Sequence, residues 1–211
     1  MAIQPTAVIF DYGNVLCGPQ PYGDLQAMAK ILDMPEDAFL PIYWRYRLPY
    51  DESHLNADSY WNQVASDCER TVNPEQIRAL TQHDVQSWSQ PSPVMVEWAR
   101  QLRLAGVRTA VLSNMPMDLR VYLTGAARWL PEFDHMTFSC DVRMVKPKPE
   151  IYEHCLSGVG VAASQALFFD DRPENIEAAR RLGIHAIEFT TPAEAVAAMN
   201  GQYSLPVPIE C

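Results

Sequence analysis

Ala7-Val8-Ile9-Phe10-Asp11-Tyr12-Gly13 is a short run, apolar at four successive residues, that stops on a carboxylate and a glycine. Such a run, closed by turn residues, predicts a strand buried on both faces with Asp11 at its carboxyl end. From Pro19 to Pro91 the texture is helical instead. Leu25, Met28, Ala29, Ile31 and Leu32 make one stripe, and Ile77, Leu80 and Val85 another. Beyond Pro91 apolar runs and amphipathic stretches alternate. Helices are expected over 94–104, 118–129, 149–158, 173–182 and 193–199, with strands at 109–112, 136–138, 166–169 and 185–189. That rhythm predicts an α/β fold, a Rossmann-like doubly wound parallel sheet. The helical block then reads as an insertion after the first strand. Residues 1–16 and 92–211 would form the core and 17–91 an inserted α-helical cap.

A length of 211 residues suits one domain carrying such an insertion. With 48% hydrophobic and 20% charged residues there is ample material for a core. The formal charge of −10 argues against a grip on nucleic acid or an anionic membrane. No apolar run reaches the length of a membrane span, and the first residues lack the basic region of a signal peptide. Cys17, Cys68, Cys140, Cys155 and Cys211 are scattered without a CxxC pair. A cytoplasmic chain is the expectation. His83, His135, His154 and His185 share no ligand spacing, so no zinc site is expected.

Open parallel sheets bind ligands at the carboxyl ends of their strands. There the first strand offers Asp11, the second Ser113 and Asn114, and the fourth Asp170 and Asp171; Lys146 sits in the loop before it. Alone, each has a bland explanation as a turn residue, helix cap or solvated charge. Their order at successive strand ends is what singles them out. A carboxylate nucleophile, clustered acids for a metal and a cation facing an anion make a phosphoryl-transfer site. Asp11 beside Asp171 would repel, by about 4 kcal/mol at ~4 Å and an effective dielectric near 20. A hard divalent cation such as Mg²⁺ relieves that. Lys146 would neutralise more of the charge and hold Asp11 ionised. Ser113 and the amides after it suit phosphate oxygens.

Four stretches together resemble the motifs of the haloacid dehalogenase superfamily of hydrolases: Phe10-Asp11-Tyr12-Gly13-Asn14-Val15-Leu16, Leu112-Ser113-Asn114, Val145-Lys146-Pro147-Lys148-Pro149-Glu150 and Phe169-Asp170-Asp171-Arg172-Pro173-Glu174-Asn175. The pattern is most similar to phosphatases related to bacterial α-glucose-1-phosphatase and to the phosphatase domain of soluble epoxide hydrolase. The resemblance implies Asp11 as nucleophile, Ser113, Asn114 and Lys146 on the phosphate, and Lys146 also as the catalytic charge-balancing lysine. It implies Mg²⁺ held by Asp11, the Gly13 carbonyl and Asp171, with Asp170 and Asn175 in support. The implied reaction is Mg²⁺-dependent hydrolysis of a small phosphate monoester, a sugar phosphate foremost, through an aspartyl-phosphate.

Most phosphatases of that family carry a second Asp where this chain has Gly13, so the proton donor for the leaving group is missing from its usual place. Either the leaving group is acidic, or a cap residue such as Asp51 or His54 donates. Two rival functions follow from the same gap. One is a metal-free 2-haloacid dehalogenase with Arg45 or Arg47 receiving the anion, which the paired Asp170 and Asp171 disfavour. The other is a weak or inactive member acting as a binding protein, which the intact motifs disfavour. In the cap, Tyr46, Arg47, Tyr50, Asp51 and His54 are the candidates for a substrate pocket, although aromatics at helical spacing also build cores. The expected partner is a small phosphorylated metabolite, and the chain a monomer or homodimer.

Overall fold

The first strand, β1 (Ala7–Phe10), lies at the centre of a five-stranded sheet in a computed structural model that describes residues 2–207. Cys211 therefore lies outside the described residues. The neighbours of β1 are β2 (Arg108–Ser113) and β4 (Ala166–Asp170), flanked in turn by β3 (His135–Phe138) and β5 (His185–Glu188), giving the order β3-β2-β1-β4-β5. All pairings are parallel; Ala7 lies opposite both Arg108 and Ala166.

The alternation of side chains along each strand splits the sheet between two cores. Val8, Phe10, Val111, Leu167 and Phe169 face one side, against α6 (Pro93–Leu104), α7 (Met117–Ala126) and α11 (Pro192–Met199). Ala7, Ile9, Ala110, Leu112 and Phe168 face the other, against α9 (Pro149–Val159) and α10 (Pro173–Arg181). The short α8 (Ser139–Val142) follows β3. Burying each large apolar side chain contributes about 1.5–3 kcal/mol. Proline opens α6, α9, α10 and α11, where its fixed φ suits the first helical position and its missing N–H leaves no bond unmade. Helix α7 stops at Ala126, short of the expected 129. The chain turns out of helical geometry at Ala127, and Pro131 cannot extend the helix, so only the 3-10 turn Leu130–Glu132 follows.

Between β1 and α6 the chain forms five helices and no strand of the sheet: α1 (Tyr22–Ile31), α2 (Glu36–Arg45), α3 (Arg47–Asp51), α4 (Ala57–Asp67) and α5 (Pro74–Ser87). They enclose a third core of Met28, Phe39, Tyr43, Tyr50, Tyr60, Trp61 and Leu80 among others. Asn73 caps α5 reciprocally with Gln76. The chain enters and leaves this block side by side. Cys17 bridges Pro91, the Gly18 N–H donates to the Gln90 carbonyl, and the Ser92 N–H donates to that of Leu16. Among the described residues no helix is long and apolar enough to cross a membrane.

Candidate active site

Because β1 and β4 are neighbours whose chains continue to opposite halves of the sheet, a crevice opens beyond their carboxyl ends. Asp11 leaves β1 there, its N–H still donating to the Phe169 carbonyl at 2.8 Å. Its Oδ1 accepts from the Tyr12 N–H at 2.6 Å. The tight coil Tyr12–Leu16 then turns the backbone sharply. Asn14 takes a positive φ of 56°, which Asn tolerates better than most residues, and donates through Nδ2 to Asp171 Oδ2 at 2.8 Å.

Lys146 comes in from the loop before α9 and is only 2% exposed. Its ammonium lies 2.9 Å from Asp11 Oδ1 and 2.6 Å from Asp170 Oδ2. Asn114 fixes its backbone, accepting from the Lys146 N–H (2.9 Å) and donating to the Lys146 carbonyl (3.0 Å). Asn114 was expected on the phosphate; its side-chain amide bonds the Lys146 backbone through both its oxygen and its nitrogen. Asp170 is fully buried and also accepts from Asn175 Nδ2 and the Arg172 N–H. One oxygen from each of Asp11, Asp170 and Asp171 falls within 4.8 Å of the others, so these three carboxylates form a group able to hold a metal ion.

Burial dominates the local electrostatics. It lifts Asp11 to about 7; Lys146 pulls the other way, and Asp170 and Asp171 add to the rise. Lys146 was expected to hold Asp11 ionised. Its pull is real, but the loss of water around Asp11 outweighs it. The lysine itself resists the depression that burial imposes, because Asp11 and Asp170 raise it above its ordinary range. Asp171 is raised, mainly by burial, against the hydrogen bond from Asn14.

These residues share a cavity of about 480 Å³ whose lining includes Asp11, Gly13, Ser113, Asn114, Lys146, Asp171 and Asn175. From the cap side it receives Trp44, Arg47, Leu48, Asp51 and Trp88. Of the five expected cap residues, then, Arg47 and Asp51 reach it and three do not. Tyr46, the residue at the break between α2 and α3, donates to Asp67 instead. Tyr50 turns into the cap core, stacked on Tyr60 with ring centroids 4.3 Å apart, and its hydroxyl donates to Asp118. His54 is exposed beside Glu52. Arg47 and Asp51 are both buried and bonded to each other at 3.0 Å, and Arg47 also donates to Asp84 and Tyr43. Burial lifts Asp51 to about 6, with Arg47 lowering it and Asp84 raising it. The wall residues Trp44, Leu48, Trp88, Met115 and Leu119 were not foreseen. Only the closeness of Trp88 to the returning chain at Pro91 signalled a place near the crevice.

A family model for haloacid dehalogenase-like hydrolases matches residues 5–183. Acyl-CoA dehydrogenase family member 10 of Mus musculus is 34% identical over 119 residues, 54% of this chain but 11% of that protein, so the matched stretch spans about a tenth of that relative. Sesquiterpene phosphatase astK of Aspergillus oryzae is 27% identical over 87% of this chain and 89% of its own length. Haloacetate dehalogenase H-2 of Moraxella sp. is 24% identical over 77% of this chain and 79% of its own length. Among solved structures, a HAD-family enzyme of Bacteroides thetaiotaomicron superposes with a TM-score of 0.73 at 16% identity, covering 90% of this chain and 95% of that one. A structure of that enzyme with magnesium and inorganic phosphate gives 0.68 at 15% identity.

Proposed function

The chain belongs to the haloacid dehalogenase-like hydrolases, and we propose that it is a Mg²⁺-dependent phosphatase of a small phosphate monoester, acting through an aspartyl-phosphate on Asp11. One observation carries this reading. Three carboxylates, Asp11, Asp170 and Asp171, bring one oxygen each within 4.8 Å of the others, and Lys146 is paired with the first two. Such a buried group has a net negative charge and asks for a cation before it can face a phosphate.

The donor set suits magnesium. Asp170 is already engaged by Lys146, Asn175 and the Arg172 N–H, whereas Asp11 Oδ2 has no hydrogen bond within the described residues. Mg²⁺ needs only one or two carboxylates and keeps the rest of its shell for water and phosphate oxygens. Asp11 and Asp171, with the Gly13 carbonyl, would hold it, and bound there it would supply charge neutralisation for an anionic substrate. The likeness to the Bacteroides enzyme seen with magnesium and phosphate, and to the astK phosphatase, supports the same reading.

In the proposed reaction the Asp11 carboxylate attacks phosphorus and the ester P–O bond breaks, its electron pair leaving with the alcohol oxygen, which takes up a proton. Water then attacks phosphorus, which frees the Asp11 carboxylate and inorganic phosphate. Lys146 holds the attacking carboxylate in place and offsets charge on the transferring group. Ser113 and the main-chain N–H of Asn114 offer hydrogen bonds to phosphate oxygens. Asp51 is the cap acid that shares the cavity with Asp11; His54 does not reach it.

A dehalogenase would need a free arginine in the cap. Arg45 is at the surface with Asp67, and Arg47 is committed to Asp84 and Asp51. An assay of phosphate release from an aryl phosphate, with Mg²⁺ and with excess chelator, tests the proposal. Release that needs Mg²⁺ and disappears in Asp11→Asn supports it. Halide release from a 2-haloacid without any phosphate release overturns it.

A further inference from the structure

We propose that the site, on the phosphatase reading above, is built for aryl phosphates: monoesters whose leaving group is a phenol on a flat apolar ring system. Two features of the cavity, joined at Trp88, carry this. The first is its wall. Trp88 is 8% exposed, and Trp44 meets it edge to face with ring centroids 6.4 Å apart. Trp44 is 43% exposed and Leu48, on α3 beyond the break at Tyr46, is 45% exposed. Met115 and Leu119 face the same space from the core side. An aromatic path thus runs from the nucleophile loop out to solvent. The polar side chains on the cap side, Arg47 and Asp51, are bonded to each other, and Arg47 also donates to Asp84 and Tyr43. A ring of sugar hydroxyls would lose water against the faces of Trp44, Leu48, Met115 and Leu119, which is unfavourable. A flat apolar ring would find two indoles.

The second feature is Gly13. A Cβ on that residue would lie 3.3 Å from Trp88 Cζ3, with Cε3 and Cη2 at 3.7 and 3.8 Å. The indole therefore crowds the space in which an acidic side chain two residues after the nucleophile would have to fit. Wall and missing acid are one arrangement. Without that acid, the esters best hydrolysed are those whose alcohol leaves readily as an anion. A phenol, with a pKa of about 10, does so.

The test compares kcat/KM for 2-naphthyl phosphate and glucose 1-phosphate with Mg²⁺ present, in the parent, Trp44→Ala and Trp88→Ala. A fluorescence titration with naphthylmethylphosphonate and with methylphosphonate reads binding without turnover. The parent should prefer the naphthyl ester and bind the naphthyl phosphonate at least about tenfold more tightly than the methyl one, as expected for a stacked ring. Both preferences should shrink in Trp44→Ala, a half-exposed position at which truncation spares the core, and shrink further in Trp88→Ala. Faster turnover of glucose 1-phosphate than of the naphthyl ester, or a phosphonate gap left intact in Trp44→Ala, overturns the inference while the phosphatase reading stands. No release from any ester with Mg²⁺ present overturns that reading, and the inference with it.

Discussion

Replacing Lys146 by methionine would remove one charge from the point where three carboxylates converge while keeping most of the aliphatic volume. The ammonium stands 2.9 Å from Asp11 and 2.6 Å from Asp170, with all three groups buried. At an effective dielectric near 20 each attraction is about 6 kcal/mol. Against this stands the several kcal/mol that each ion loses on leaving water, and the net cost of breaking such a buried pair is about 3–5 kcal/mol. Lys146→Met should therefore lower the free energy of unfolding by that amount at neutral pH, read from urea midpoints at unchanged slope. The pH dependence supplies a signature. Burial already lifts Asp11 to about 7 in the parent, and without the pull of the ammonium the folded protein binds that proton more tightly still. Stability then rises as pH falls towards the range in which unfolded carboxylates titrate. The deficit should shrink by at least about 1 kcal/mol between pH ~7 and pH ~5. A loss below about 1 kcal/mol at neutral pH would refute the charge arrangement as its source. So would a deficit of equal size at both pH values.

Asp11→Asn should keep the fold and cut phosphate release by about 10⁴-fold or more, and turnover within about tenfold of the parent would remove Asp11 from the nucleophile role. Chelation should abolish release and Mg²⁺ restore it with Ca²⁺ a poor substitute, while Asp171→Asn weakens Mg²⁺ binding in calorimetry; equal binding isotherms for parent and variant would count against Asp171 as a ligand. Asp84→Ala would leave Arg47 with Asp51 as its one carboxylate partner and should cost about 3–5 kcal/mol, appearing first as protease sensitivity within residues 22–87; unchanged digestion would show that the network is dispensable. Asp51 has an ordinary value of 3.8 raised to about 6 by burial, so between those values the folded chain holds a proton that the unfolded chain has lost. Its contribution to stability therefore falls as pH rises through that window, and Asp51→Asn should flatten the decline. Arg47, Asp84 and Arg172 are the charges that act on it. Parallel curves for parent and variant would refute the assignment.

The strands were legible because a parallel sheet covered on both faces leaves unbroken apolar runs, as at Ala7–Phe10 and Ala166–Phe169. Asp11, Ser113, Lys146 and Asp171 were legible because each sits just past such a run or in the loop beside it, and the topology alone brings strand ends together. The cap was harder. Tyr46 and Tyr50 lie in one aromatic stretch with Tyr43, but the helix axis breaks at Tyr46 and α3 restarts at Arg47. That break sends Tyr50 into the cap core and leaves Trp44 and Leu48 at the cavity. Periodicity carries no record of such a change of direction. The Asn114 clamp on Lys146 joins residues 32 apart through side chain and backbone, a pairing that no local pattern encodes. Trp88 lies over Gly13, 75 residues away in the chain, and no local pattern encodes that contact.

The central position of β1 also governs how the chain must fold. The first strand made is the one that needs partners on both edges, and those partners begin at Arg108 and Ala166. At about 5–20 residues per second, a growing chain waits roughly ten to thirty seconds between making Ala7 and completing the second of those edges. Meanwhile Val8, Ile9 and Phe10 have no sheet to enter. The helices over residues 22–87 do not depend on those edges: α1 packs on α5 from opposite ends of the block, and the third core closes within these residues while β1 still waits. Assembly of the sheet must close a long loop around that block, a slow kind of step. Substitutions that make β1 stickier would therefore be felt during synthesis, as aggregation, before any sheet exists to bury them.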